Sequence, residues 1–393
     1  MNDAWIVSAV RTPVGRFLGS LKDIPAPRLG ASVVREAVRR GGLEPALVEN
    51  VIMGCVLPAG LGQNPSRQAA IHGGIPSAAG ALTINKVCGS GLESVALAAQ
   101  AVRVGDLDVI VAGGMENMSR SPYLLPDARE GSRLGHGRML DSMVHDGLWD
   151  IYNDFHMGIT AEMVAEKHSF TREAQDAYAV ESHRKAAAAH AAGAFSDEIL
   201  PIELAQKKGP PLLFSHDESV RADTTAEALA RLKPAFKKDG TVTAGNAPGC
   251  NDGAAAVMVV SERCMKDHGL KPIARVMGAA TGGVDPEWVM LAPVVAVQKL
   301  NKRLGLSMDA WDLMELNEAF SVQAMGVLKE LDADSSRVNV HGGAVAIGHP
   351  IGASGARVLV TLLHALKRRG GKRGLAALCL GGGNAVALGV EMC

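Results

Sequence analysis

The chain nearly repeats itself, and a repeat restricts the available folds more than any single motif does. Val87-Cys88-Gly89-Ser90-Gly91 and Ile351-Gly352-Ala353-Ser354-Gly355 share one pattern at an offset of 264 (352 − 88). The apolar run 109–114 matches 377–382 at an offset of 268 (377 − 109), and 50–55 matches 312–317 at 262. Three near-equal offsets in one order imply two copies of one supersecondary unit. Short apolar runs alternate with helix-period runs in the first copy. Strands are expected at Trp5 to Val10, Val51 to Val56, Ala81 to Val87 and Asp108 to Gly114. Helices are expected at Leu29 to Arg40, at Pro65 to His72 and from Leu92 onward. Such alternation predicts a largely parallel α/β layer.

From Ser119 to about Thr243 the alternation stops, and polar, glycine-containing stretches surround isolated helices such as Thr171 to Ala192. A segment that long is expected to be an inserted loop domain. The strand pattern resumes at Ala254 to Ser261. The expected organisation is α/β: two duplicated domains and an insertion. Residues 1–120, completed by 249–270, form the first half, 121–248 the insertion and 271–393 the second half.

Lys+Arg 40 against Asp+Glu 41 leaves a net charge of -1, which argues against a surface that tracks nucleic acid or anionic membrane. The basic run Lys367 to Arg373 reads as a solvated helix C-terminus. The six cysteines are scattered without a C-x-x-C pair, a reduced intracellular pattern rather than a disulfide framework or zinc site. Met1 to Val7 lacks the basic start of a signal peptide, and no run of 18 apolar residues exists. A cytoplasmic location and no membrane partner are expected.

Chemistry concentrates where strands turn into helices. Cys88 sits at such a turn, before a helix on which Leu92, Val95, Ala96, Ala99 and Val102 share a face. Ser90 is the expected N-cap, and the positive end of the helix dipole is expected to lower the thiol pKa. The surrounding glycines leave backbone N–H groups free to meet a carbonyl oxygen. Cys88 therefore reads as an acyl-accepting nucleophile; the alternative is a buried core thiol. Under the 264 offset, His349 falls on Asn85, and a pseudo-two-fold would bring it to Cys88 as its proton acceptor. A structural histidine is the alternative. Cys379 closes a strand before Gly381-Gly382-Gly383, and Asn317 ends another strand; a core thiol and a turn-forming asparagine are the alternatives. All four lie beyond strand C-termini, where α/β sheets gather their ligands.

Together these residues resemble the thiolase family over essentially the whole chain. The resemblance rests on Arg11-Thr12-Pro13, Asn85 to Gly91, Gly114 to Ser119, Asn317-Glu318-Ala319-Phe320, Gly348-His349-Pro350 and Cys379 to Gly383. Asp146-Gly147-Leu148, His156-Met157-Gly158 and Val338 to Gly343 are most similar to the family's biosynthetic branch, the acetyl-CoA acetyltransferases. The resemblance implies a thiolase fold with a layered αβαβα core. It implies Claisen condensation of two acetyl-CoA to acetoacetyl-CoA and CoA, and the reverse thiolysis. Cys88 would carry the acetyl group, His349 would activate it, and Cys379 would remove the proton from the second acetyl-CoA. His349 with a water held by Asn317, and the N–H groups of Cys88 and Gly381, would form two oxyanion sites. Leu148, His156, Met157, Phe236, Ala244, Ala247, Pro248, Ala319 and Phe320 would line the pantetheine and acyl pocket, with Arg221 at the adenine.

The resemblance implies no cofactor, because the CoA thioesters are themselves substrates. It also implies a homodimer or homotetramer, with Tyr123 to His136 as a subunit-contact loop. Degradative thiolysis of longer 3-ketoacyl chains, and an acyl-CoA-binding relative with impaired catalysis, are the alternatives. Three stretches depart from the family pattern: Pro248 within Asn246-Ala247-Pro248-Gly249, the run Val289-Met290-Leu291-Ala292-Pro293, and Ala385 after the glycine triplet.

Overall fold

The computed structural model describes residues 3–131 and 133–393. Met1 and Asn2 of the expected N-terminal segment, and Ser132 of the expected contact loop, lie outside the described residues. The strands of the main sheet are β1 (Ala4–Arg11), β2 (Asn50–Gly54), β3 (Gly80–Ile84), β4 (Val109–Asn117), β5 (Asn251–Ser261), β6 (Ala274–Gly283), β7 (Leu313–Leu316), β8 (Arg373–Leu380) and β9 (Asn384–Met392). Their spatial order is β7-β8-β9-β6-β1-β5-β4-β2-β3.

That order reads as a duplication. In the first half β2 runs parallel to β4, and β4, β5 and β1 follow antiparallel. In the second half β7 runs parallel to β8, and β8, β9 and β6 follow antiparallel. The halves join where β1 meets β6 over two residue pairs, Trp5 with Arg275 and Ile6 with Ala274. Even the side-chain bonds repeat. The Glu49 carboxylate accepts from the N–H groups of Asp108 and Val109, and that of Asp312 accepts from Lys372 and Arg373. The sheet is mixed and not largely parallel, since five of the eight neighbouring pairs in that order are antiparallel, and register corrects a second expectation. Ile110 faces Asn50 as Gly374 faces Leu313, so these strands correspond at 264 (374 − 110) and not at 268. Matching glycine with glycine had slipped the strand by four residues.

The longer helices are α1 (Ala26–Gly41), α2 (Pro65–His72), α3 (Ser90–Val104), α4 (Met157–His168), α5 (Arg172–Ala191), α6 (Ala292–Leu304), α7 (Ser321–Leu331) and α8 (Ile351–Arg369). Their ends follow local chemistry. Thr171 Oγ1 accepts from Ala174 N–H to start α5, and Gly42, Gly105, Gly305 and Gly370 close α1, α3, α6 and α8 with positive φ. Helices α3 and α8 pack on each other between the two half-sheets, in a core that draws on strands of both. Helices α1 and α2 cover the outer face of the first half-sheet, and α6 and α7 that of the second. The layers therefore run α, β, α, β, α. Ile351 to Leu363 of α8 are buried without interruption, as a helix enclosed on all sides requires.

Between β4 and β5 the chain carries α4, α5 and three two-stranded ribbons. Buried Arg11 on β1 ties this segment down: Nε donates to Glu198 Oε1 at 2.6 Å, and Nη1 and Nη2 reach Asp217 at 2.7 and 3.0 Å. Among the described residues no helix is long and apolar enough to cross a membrane.

Candidate active site

The N-termini of α3 and α8 meet because glycines allow it. A Cβ on Gly114 would lie 2.0 Å from Gly352 O, and one on Gly91 would lie 2.7 Å from Ala356 N. Both helices thereby present their leading residues to one cavity of about 210 Å³. Cys88, His349, Cys379 and Gly381 all stand on its wall.

Cys88 follows Val87, whose φ of 46° is a left-handed conformation that a β-branched side chain resists. Gly89, not Ser90, occupies the cap position of α3. Ser90 is the first helical residue, and its hydroxyl accepts from Lys86 N–H at 2.8 Å and donates to Val87 O at 2.6 Å. The expected cap serves instead as a clamp on the strained turn. The expected lowering of the thiol pKa is also corrected: burial pushes Cys88 up to about 12. The backbone N–H groups of Cys88 and Gly381 bond the sulfur and oppose that rise without cancelling it. Cys88 is only half-buried, yet the packing around its sulfur lets desolvation of a thiolate outweigh the helix dipole.

His349 is fixed at both ends. Its backbone N–H donates to Asn251 Oδ1 at 2.8 Å, and its Nδ1 lies 2.7 Å from Ser354 Oγ. Ser354 gives its own proton to Pro350 O at 2.9 Å, so its oxygen accepts from Nδ1–H and Nε2 keeps a lone pair. Burial first, and the Arg357 charge second, hold the imidazole down at about 3. It is a neutral base. The thiol of Cys379 is raised by burial and then by the Cys88 charge, and both cysteines line the same cavity.

The walls come from two apolar clusters. One joins Cys379, Val289, Met290, Ala319 and Phe320 to Met157, Phe236 and Ala247; the other joins Met118 and Ile351 to Cys88, Leu148 and Cys250. His156 Nδ1 accepts from Gly158 N–H at 3.0 Å, and its ring stacks on Phe236 at 4.7 Å. Phe236 in turn meets Phe320 edge-on at 5.9 Å. Pro248 also lines the cavity. Ala244 and Arg221 do not: both are exposed, and Arg221 donates its backbone N–H to His183 Nδ1 at 3.1 Å. Asn317 does not line the cavity; it is buried next to the end of β7, with neither amide atom bonded among the described residues.

Sequence reasoning missed Met118, Cys250, Ile351 and Ser354. The last two follow His349 at two and five residues, a spacing that could have been read once Pro350 was taken as the residue before a helix. It also missed Glu116. That carboxylate accepts from Val56, Leu57 and Gly352 N–H groups at 2.9, 3.2 and 2.9 Å, and so pins the start of α8 to the loop after β2.

The thiolase N-terminal domain model matches residues 4–263, and the thiolase C-terminal domain model matches residues 270–392. The chain belongs to the thiolase family. An acetyl-CoA acetyltransferase of Pseudomonas aeruginosa is 57% identical over 388 residues, 99% of each chain. One from Cupriavidus necator is 55% identical over 391 residues, 100% of each chain. The crystal structure of a Bacillus anthracis acetyl-CoA acetyltransferase matches with a TM-score of 0.98 at 45% identity, covering 100% of this thiolase and 99% of that chain.

Proposed function

We propose that this thiolase is an acetyl-CoA C-acetyltransferase that joins two acetyl-CoA into acetoacetyl-CoA and CoA and also runs the reverse thiolysis. The observation that carries the reading is two thiols and a neutral imidazole on one small, apolar cavity, with two backbone N–H groups at the first sulfur. Cys88 loses its proton to His349 Nε2 as its sulfur attacks the acetyl carbonyl carbon. The N–H groups of Cys88 and Gly381 take the developing oxyanion, and loss of one such donor typically costs about 2.7–4 kcal/mol. The C–S bond to CoA then breaks, and the CoA sulfur takes the proton from His349.

Cys379, its own thiol proton first released to solvent, removes a methyl proton from the second acetyl-CoA as the thiolate, and the enolate oxygen is held by His349 and by a water on Asn317. The enolate carbon attacks the acetyl-cysteine, a C–C bond forms, and the Cys88 sulfur leaves and recovers the proton from Cys379. Leu148, His156, Met157, Phe236, Ala247, Pro248, Ala319 and Phe320 take the pantetheine and acyl arm, while exposed Arg221 and Ala244 meet CoA further out. The chain works without a resident cofactor, in the cytoplasm, as a homodimer or homotetramer, and residues 121–248 act as its CoA-carrying domain.

The test is thiolysis of acetoacetyl-CoA beside 3-ketoacyl-CoAs of six and more carbons, with Cys88→Ala and Cys379→Ala as controls. The four-carbon substrate is expected to turn over fastest, with both variants nearly inactive. Faster turnover of long chains would overturn the acetyl assignment in favour of degradative thiolysis.

A further inference from the structure

Helix α8 leaves the cavity with a polar stripe of Ser354, Arg357 and Thr361, spaced i, i+3 and i+7 and all buried. The outer two are bonded: Ser354 to His349, and Thr361 Oγ1 to Glu198 Oε1 at 3.0 Å. The charged middle one is not. Nε, Nη1 and Nη2 of Arg357 have no partner among the described residues, although the side chain is 2% exposed.

Glu315 and Asn317, two residues apart, share a strand face. That face looks toward α8, because Leu313 packs with Val358 and Leu362 while Met314 and Leu316 pack on the other side of the sheet. Both carboxylate oxygens of Glu315 and both amide atoms of Asn317 also lack partners, at 1% and 2% exposure. Helix α8, which carries Arg357, packs on β7, which carries Glu315, and the Arg357 charge acts on both Glu315 and His349.

A buried guanidinium, carboxyl and carboxamide left unbonded together would be strongly destabilising. A site with this many convergent polar atoms is where buried water settles, typically with about three hydrogen bonds each. We infer that Glu315 and Arg357 are positioning residues: they anchor a small buried water cluster between β7 and α8 that aims the Asn317 carboxamide at the second acetyl unit. The inference deepens the thiolase reading and rests on it.

The full-length protein tests it with Glu315→Gln, Arg357→Met and Arg357→Lys. Two half-reactions separate the roles: acetylation of Cys88 by acetyl-CoA, read as intact mass against time, and condensation kcat and KM. Asn317 serves only the second. The expected result is acetylation within about threefold of wild type, condensation kcat down about 10- to 100-fold, KM nearly unchanged and partial rescue by Arg357→Lys. A crystal structure of the wild type at high resolution is expected to show ordered water bonded to Arg357, Glu315 and Asn317.

A direct Arg357–Glu315 ion pair without water would overturn the inference, as would equal loss of both half-reactions or wild-type kcat in a folded variant. Should Arg357→Met fail to fold, Glu315→Gln and the wild-type water positions decide the matter. Failure of the wild type itself to acetylate removes the proposed function and this inference with it, a result distinct from losses confined to the variants.

Discussion

Replacing Gly114 by alanine tests whether the close meeting of the two helix starts, and not merely the identity of the reactive groups, makes the site. The new methyl carbon would lie 2.0 Å from Gly352 O and 2.9 Å from Ala353 Cα, both backbone-held atoms that no rotamer change can clear. Restoring an ordinary carbon–oxygen contact of about 3.4 Å requires roughly 1.4 Å of movement in the first turn of α8, within three residues of His349. Such overpacking typically destabilises by about 1–3 kcal/mol. A misplacement of about 1 Å can lower a rate about 100-fold, equivalent to roughly 2.7 kcal/mol of transition-state stabilisation. The assay is kcat and KM for acetoacetyl-CoA thiolysis together with the melting temperature. Gly283→Ala serves as control, because a Cβ there meets nothing within 4 Å. We expect Gly114→Ala to keep all four reactive side chains, melt earlier and lose most of its kcat, while the control matches wild type. A folded Gly114→Ala with unchanged kcat would refute the argument.

Three further outcomes follow from the same geometry. Arg11→Met strands the buried Glu198 and Asp217 carboxylates, and breaking such a pair typically costs about 3–5 kcal/mol, so chemical denaturation should shift to markedly lower denaturant. An unchanged midpoint would show that the network is dispensable. His349 is held down at about 3 in the folded chain against 6.5 for its ordinary value. The unfolded chain therefore binds this proton first, and stability is lost as pH falls from 6.5 toward 3, on the order of 1.4 kcal/mol per pH unit from this group. His349→Gln should flatten that part of the acid limb; an identical slope in both proteins would contradict the buried-neutral assignment. Cys379→Ala should still show the acetyl mass on Cys88 after acetyl-CoA is added, yet make no acetoacetyl-CoA, and product formation would remove the second thiol from the mechanism.

The sequence made the duplication and the candidate site residues legible because both reside in local spacing. Strand-to-helix turns bounded by glycine have to fall where Cys88 and His349 stand, and strand ends place Asn317 and Cys379. What it hid were quantities set by neighbours distant in the chain. The Cys88 thiol was expected to be acidic from its helix alone, yet enclosure by α8, β8 and the inserted segment reverses the sign. Glycine matched to glycine gave an offset of 268, whereas hydrogen-bonded register gives 264. The glycines of the second copy form the wall of the site beyond β8, and those of the first copy admit α8, so equal letters serve different purposes. Nothing local announces the positive φ of Val87 or the bonds that Glu116 makes across two loops.

Burial also decides how the reaction must run. A pair formed from a free thiolate and an imidazolium would require a thiol far more acidic than about 12 and an imidazole far more basic than about 3. Burial therefore favours a neutral resting site, and in the mechanism proposed above the Cys88 proton would pass to Nε2 only as negative charge passes from sulfur to the thioester oxygen. That oxygen needs donors already in place, because enclosed apolar walls offer no solvent to reorganise. The N–H groups proposed for it, those of Cys88 and Gly381, follow a strained turn and the end of a buried strand. Strain at Val87, next to Cys88, and desolvation of two thiols thus fall at one cavity, where burial disfavours both a thiolate and an imidazolium.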